Sequence, residues 1–199
     1  VCVAGTDGHH TQANPGLKVW DMLMRMSLLF SPLHIPAPRG GIALANRIVV
    51  APMCQYAAQD GQASDWHLMH WGNLLNSGAA LFTIEATAVV PQGRITPACL
   101  GLWDDRTEAA LADTLRRARA LAPPTPVCIQ LAHAGRKASS ALPWQGAQWL
   151  PPEQGGWETY APSALAHGPG EAAPIAMTRQ HMDQVRDAFV SAAQRADAM

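Results

Sequence analysis

Apolar positions fall into three compact runs and three helical stripes, separated by segments rich in proline and glycine. The first run, Ile48-Val49-Val50-Ala51, has the β-branched character of a strand buried on both faces, and Pro52 ends it. Leu81-Phe82-Thr83-Ile84 and Val127-Cys128-Ile129-Gln130-Leu131 predict a second and a third strand. Between the first two, Ser64 or Asp65 can cap a helix whose Leu68, Trp71 and Leu75 share one face, with Gly78 placed to end it. Between the second and third, residues 105–121 predict an amphipathic helix. Its stripe is Leu111, Leu115, Ala118 and Ala122, its Arg116, Arg117 and Arg119 lie elsewhere, and Pro123-Pro124 closes it. Thr178 caps a last helix with Met182, Val185, Phe189, Ala192 and Ala196 on one face.

Two stretches lack such periods. Residues 28–46, broken by Pro32, Pro36, Pro38, Gly40 and Gly41, predict a short hairpin or irregular segment leading into the first strand. Residues 133–177 are rich in Pro, Gly and Trp. A loop of that length in a compact domain is usually functional or disordered, and Trp144, Trp149, Trp157 and Tyr160 predict an ordered one that packs. The alternation of strands and helices is that of an α/β protein with a parallel sheet and right-handed crossovers. Periodicity does not separate an open doubly wound sheet from a (β/α) barrel. No G-x-G-x-x-G follows the first strand, so a dinucleotide-binding Rossmann unit loses support.

Composition narrows the function classes. With 199 residues, 48% of them hydrophobic, and a net charge of -1, the chain is long enough to bury a core. It carries no Lys/Arg block, which argues against nucleic acid and acidic membrane surfaces as partners. No apolar run approaches the roughly 20 residues of a membrane span. Cys2, Cys54, Cys99 and Cys128 form no C-x-x-C pair and no zinc spacing, so neither a metal site nor a disulfide framework is expected, and a reducing, cytoplasmic setting is. Residues 1–25 have neither the basic start nor the apolar core of a signal peptide. The expected division is a leader over 1–26, disordered or not native, and a domain over 27–199.

In α/β sheets and barrels alike, sites form at the C-terminal ends of the parallel strands. That rule selects Pro52 to Tyr56, Glu85 to Thr87, and Gln130 to Lys137. In the first segment Cys54 and Tyr56 could face one pocket, or Cys54 could be a small buried hydrophobe. A Cys54–His133 nucleophile pair is a sharper alternative, though no spacing brings the two together. Ala86 is small enough to let backbone amides approach a flat ligand, or simply to pack tightly. Gln130 offers both a donor and an acceptor, suited to an imide edge. Arg136 and Lys137 could meet an anion or be solvated loop charges. His67 and His70, three apart on a helix, lack an acidic third ligand and are expected to be surface or packing residues.

Taken together, LFSPLHI, NRIVVAPMCQY, DGQASDWH, EATAVVPQGRIT, LGLWDD, IQLAHAGRKAS and GWETYAPSALA resemble the old yellow enzyme family of NAD(P)H:flavin oxidoreductases. The likeness is to the branch of xenobiotic reductases and thermophilic-like ene-reductases. The segments occur in the family's order and cover nearly everything from Ser27 onward. The resemblance implies the first three strands or so of a (β/α)8 TIM barrel with FMN at its C-terminal mouth. Ala51, Pro52, Met53 and Cys54 would line the flavin, with the Cys54 thiol at its reactive edge. Tyr56 would face the substrate, Ala86 would be the small residue beside the flavin, and Gln130 would hydrogen-bond its pyrimidine edge. Cys54 and Tyr56 are thus the candidate catalytic residues. The implied reaction carries a hydride from NADPH or NADH through FMN to an activated alkene such as an enone, with nitro compounds or quinones as other acceptors. The full-length family member could be a homo-oligomer. The family's substrate-binding histidine pair, tyrosine proton donor, flavin-contacting arginine and phosphate loops lie past the third strand and have no counterpart here. The expectation is therefore a barrel cut before its fourth strand, with open edges on the first and third strands, and the alternative function is a non-catalytic fragment of such an enzyme.

Overall fold

The computed structural model describes residues 2–3, 27–37 and 40–199. In chain order these form β1 (Cys2–Val3), β2 (Leu33–Ile35), β3 (Ile42–Leu44), β4 (Val49–Val50), α1 (Asp65–Leu75), β5 (Leu81–Ala88), α2 (Asp105–Arg119), β6 (Val127–Ala132), β7 (Tyr160–Ala161), β8 (Ile175–Ala176) and α3 (Arg179–Asp197). The sheet order is β1-β6-β5-β4, with β4, β5 and β6 parallel. These three are the apolar runs of the sequence. β4 is shorter than its run, and β5 extends four residues beyond Ile84, into the segment read as a site.

One outer edge differs from expectation. β1 pairs antiparallel with β6, Cys2 opposite Cys128 and Val3 opposite Val127, so the first two residues of the β6 edge are covered. The remainder of the expected leader lies outside the described residues. Cys128 is disulfide-bonded, contrary to the reading of four scattered thiols, while Cys54 and Cys99 are free.

The parallel register sorts the side chains into two faces. Val50, Phe82, Ile84, Val127 and Ile129 pack outward against Trp71 and Leu75 of α1 and Leu111 and Leu115 of α2. Inward, at the N-terminal end of the strands, Leu81 joins Leu44, Ala80, Leu33, Ile42 and Cys128. The β2–β3 hairpin, the segment broken by Pro and Gly, closes this end of the sheet.

The helices start where their caps predict. Asp104 accepts from the Thr107 amide at 2.8 Å to open α2, and Thr178 accepts from the His181 amide at 3.2 Å to open α3. The stripe of α3 is only partly used: Ala192 and Ala196 are buried, but Met182 remains exposed. The long segment after β6 is ordered by specific contacts. The buried Ser139 hydroxyl donates to Leu150 O and accepts from the Trp157 amide, both at 2.8 Å. The Arg94 guanidinium lies between the Trp103 and Trp157 rings, 5.5 and 4.8 Å from their centroids. β7 and β8, invisible as strands in the sequence, pair in parallel within this segment.

Candidate functional site

A bulge in β5 decides what faces the inside of the sheet at its C-terminal end. Ile84 pairs with Ile129 on the outer, helix-packed face, yet the next matched pair is Ala86 with Gln130. Glu85 is thus the extra residue of a β-bulge, which re-aims the chain beyond it. Without the bulge, alternation would send Ala86 toward the helices. With it, Ala86 and Gln130 sit side by side on the inner face, and Ala51 reaches that face by alternation from Val50. Ala51, Met53 and Gln130 are exposed there, while Pro52, Cys54, Tyr56 and Ala86 are half-buried.

The Cys54 thiol stands beside the Ala86 backbone and Tyr56, where the ends of β4 and β5 meet. Burial, then the neighbouring Cys99 and Glu85, pushes its pKa up to about 11. Cys54 is therefore a thiol at neutral pH. That is the reverse of the lowered pKa a nucleophile needs, so the Cys54–His133 hydrolase reading loses its chemistry. His133 lines a cavity of about 200 Å³ with Tyr160 and His181, and its Nδ1 accepts from the Gly135 amide at 3.1 Å. Burial lowers the His133 pKa. Arg136 and Lys137 are exposed.

Tyr56 adopts φ +52°, a left-handed conformation uncommon for a bulky residue and found chiefly where the surroundings impose it. Its ring meets Trp144 edge-on at 6.0 Å, and burial, followed by Cys54, raises its pKa. The strain aims a phenol beside the thiol, the pairing that the two-residue spacing suggested.

Two residues of this end had no role in the sequence reading: Glu85, though inside a selected segment, and His67. Glu85 is 3% exposed, and its Oε2 accepts the Gln55 amide at 2.7 Å. Its Oε1 lies 3.2 Å from Nε2 of His67, which is fully buried, and the two are not aligned for a linear hydrogen bond. His67 Nδ1 accepts the Ser64 amide at 3.0 Å. Since an amide only donates, the ring proton is on Nε2, toward Glu85. The signals were a lone carboxylate in an apolar strand and a histidine three residues after a serine cap. His70, by contrast, is half-buried, with its pKa lowered by burial. Among the described residues no group of three His, Cys, Asp or Glu could hold a metal, and no helix is long and apolar enough to cross a membrane.

The residues of the mouth fit a flat aromatic ligand. Ala51 and Ala86 leave room for its plane, Gln130 offers a donor and an acceptor to its polar edge, and Cys54 is uncharged. Comparison with known proteins agrees. Residues 28–198 match the profile of the NADH:flavin oxidoreductase / NADH oxidase family. The chain is 40% identical over 174 residues to an NADH:flavin oxidoreductase of Gibberella zeae, covering 84% of this chain and 40% of the relative. It is 35% identical over 172 residues to an NADPH dehydrogenase of Bacillus licheniformis, covering 85% of this chain and 44% of the relative. Among solved structures, Old Yellow Enzyme from Pichia sp. AKU4542 superposes with a TM-score of 0.67 at 23% identity, over 86% of this chain and 43% of the other. Morphinone reductase gives 0.66 at 24%, over 85% and 45%. These structures carry the barrel fold, of which β4, β5 and β6 are the first three strands. The chain spans less than half the length of these relatives. With the profile running through the hairpin, all three parallel strands and the final helix, the chain belongs to the NADH:flavin oxidoreductase / NADH oxidase family.

Proposed function

We propose that the intact protein carrying this chain is an FMN-dependent oxidoreductase that reduces small activated alkenes, such as enones, with NADPH or NADH as hydride donor. The observation that carries the reading is the Ala86–Gln130 pair, brought to the mouth by the bulge beside the thiol of Cys54. FMN, when bound, would supply the hydride chemistry between the nicotinamide donor and the alkene. The chain's own residues bind and orient. Ala51, Pro52 and Met53 form one wall, and Ala86 a second. The Gln130 amide reads the pyrimidine edge. Cys54, protonated, stands at the reactive edge and adjusts the potential without forming a covalent intermediate. Tyr56, held in its strained backbone beside Cys54, faces the alkene.

A second reading concerns the chain by itself. In barrels of this kind phosphate groups are bound after the seventh and eighth strands. The described residues supply β4, β5 and β6 as the parallel strands of the main sheet, so alone the chain would hold the flavin ring without its charged anchors and be inactive. The intact protein, purified, should be yellow, retain FMN through gel filtration at one per chain, and oxidise NADPH or NADH when 2-cyclohexenone is added. Residues 26–199 alone should emerge without FMN. A colourless intact protein that takes up no added FMN overturns the reading. FMN retained by residues 26–199 overturns the second.

A further inference from the structure

Gln55 is held at three points. Its amide N–H donates to Glu85 Oε2 at 2.7 Å, its side-chain oxygen accepts from Trp66 Nε1 at 3.1 Å, and its side-chain nitrogen donates to Met53 O at 2.9 Å. The segment between β4 and α1 that contains Cys54 and Tyr56 is thereby anchored from beneath. The backbone anchor is the bulge residue of β5, a carboxylate buried with no Lys or Arg against it in the contacts of its site. A buried carboxylate is costly unless its oxygens meet donors. Oε2 meets one here, the Gln55 amide, and Oε1 has the His67 ring 3.2 Å away without a linear hydrogen bond. The tautomer of that ring, with its proton on Nε2, is set by the Ser64 amide on its other nitrogen. Ser64 in turn donates its hydroxyl to Ala57 O at 2.9 Å, so the chain of contacts starts and ends on the same loop.

We propose that Glu85, oriented by His67, is a positioning residue of the flavin site, fixing the loop that carries Cys54 and Tyr56 and placing a fixed negative charge behind the thiol. The bulge then has two products. It turns Ala86 inward, and it frees Glu85 from the alternation so that its side chain can reach Gln55 and His67. The arrangement suits a carboxylate specifically. Glutamine could accept from one of the two donors, but its NH2 would confront the other, so the amide replaces only half of the role. The charge also matters for redox chemistry. A negative group beside the reactive edge disfavours adding electrons there, and removing it eases reduction. The inference rests on the flavin reading given above.

The test uses the intact flavin-loaded protein and three variants: Glu85→Gln, Glu85→Ala and Leu111→Ala, the last a core substitution between α2 and the sheet. Four quantities are read: FMN dissociation constant, flavin midpoint potential, and kcat and KM with 2-cyclohexenone. Glu85→Gln should load FMN, raise the midpoint potential and lower kcat more than it changes KM. Glu85→Ala should lower kcat further, by about 10-fold to 100-fold, the scale of a displaced catalytic loop. Leu111→Ala should lower the melting temperature and leave the potential unmoved. An unchanged potential and kcat in Glu85→Gln would sink the proposal, as would a potential shift matched by Leu111→Ala. Should Glu85→Ala fail to fold, Glu85→Gln still decides. Wild-type protein that binds no FMN overturns the flavin reading itself, whereas yellow, active wild type with indifferent Glu85 variants overturns only this inference.

Discussion

The two ends of the same three strands are built on opposite principles. At the N-terminal end the inward positions are apolar and covered where the hairpin lies: Leu81 is 7% exposed and Leu44, from the hairpin beneath it, 2%, although Val49 opposite Leu81 stays 48% exposed. At the C-terminal end the same inward face carries Ala51 and Gln130, both exposed, and a half-buried thiol. One end removes apolar area from water, worth about 1.5–3 kcal/mol for each large side chain fully buried. The other leaves small and polar groups open around a concave mouth and tolerates a strained Tyr56 and a buried carboxylate. Stability and chemistry are thus separated along the strand axis, by only a few residues of each strand.

The largest expected effect tests the sealed end. Leu44→Ala in the intact protein should cost about 2–5 kcal/mol, read as a fall in the urea midpoint, because a side chain buried under the sheet leaves a cavity. The flavin potential should stay where it is. A potential shift as large as that of a mouth substitution would break the division between the ends.

Next comes the thiol. A pKa raised from 9.0 to about 11 leaves roughly 100-fold less thiolate near neutral pH than an ordinary cysteine has. Alkylation of Cys54 by iodoacetamide in the flavin-free protein should be slower by that factor and speed up with pH until about 11. The folded pKa exceeds the unfolded one, so the unfolded chain loses the proton first. Stability from this group is whole below pH 9 and declines as pH rises toward about 11. Thermal melts across that window should show a shallower decline in Cys54→Ala than in wild type, Tyr56 still contributing to it. Fast labelling at pH 7 would mean that the mouth activates the thiol instead of restraining it.

Gln130 should matter less. Gln130→Leu removes hydrogen bonds worth about 0.5–1.5 kcal/mol, so FMN should bind about 3-fold to 10-fold more weakly in a fluorescence titration. Because Gln130 is exposed, the melting temperature of the flavin-free protein should hardly change. The smallest effect belongs to the N-terminal segment. Deleting residues 1–25 from the intact protein removes a two-residue pairing at the sealed end of β6. In reducing buffer, where the disulfide of Cys128 plays no part, the melt should shift by a few degrees at most and the FMN dissociation constant not at all. A loss of FMN binding would show that this segment serves the mouth as well.

The sealed end was far easier to read from sequence than the mouth. Runs such as Val127 to Leu131 and the stripe Leu111, Leu115 and Ala118 announce themselves because burial on a regular element repeats with its period. The same logic located the strand ends and therefore Cys54, Ala86 and Gln130. It failed where the structure leaves regularity. A bulge changes phase without changing composition, so nothing in Leu81-Phe82-Thr83-Ile84-Glu85-Ala86 reveals that Glu85 is skipped. The partners of Glu85 lie at positions 55 and 67, and only the folded crossover brings them together. His67 was read as a surface or packing residue because helical spacing carries no information about a strand behind the helix. Met182 shows the reverse error: it has the right period but remains exposed. β7 and β8 are two residues each, too short to make a pattern amid the prolines.

The bulge also governs how this chain can change length. Residues before Glu85 and residues after it are out of step by one position, and both halves are correctly aimed only because of that offset. Deleting Glu85 itself would close the bulge and leave Ala86 inward beside Gln130 by regular alternation, but would take away the carboxylate that holds Gln55. Inserting one after Glu85, with the bulge kept, would set the new residue opposite Gln130 and turn Ala86 toward α1 and α2. Insertions and deletions in β5 therefore cost either that carboxylate or the aim of Ala86. They are accommodated instead in 133–177, where turns closed by left-handed Gly146 and Gly155 can lengthen or shorten without rotating any strand.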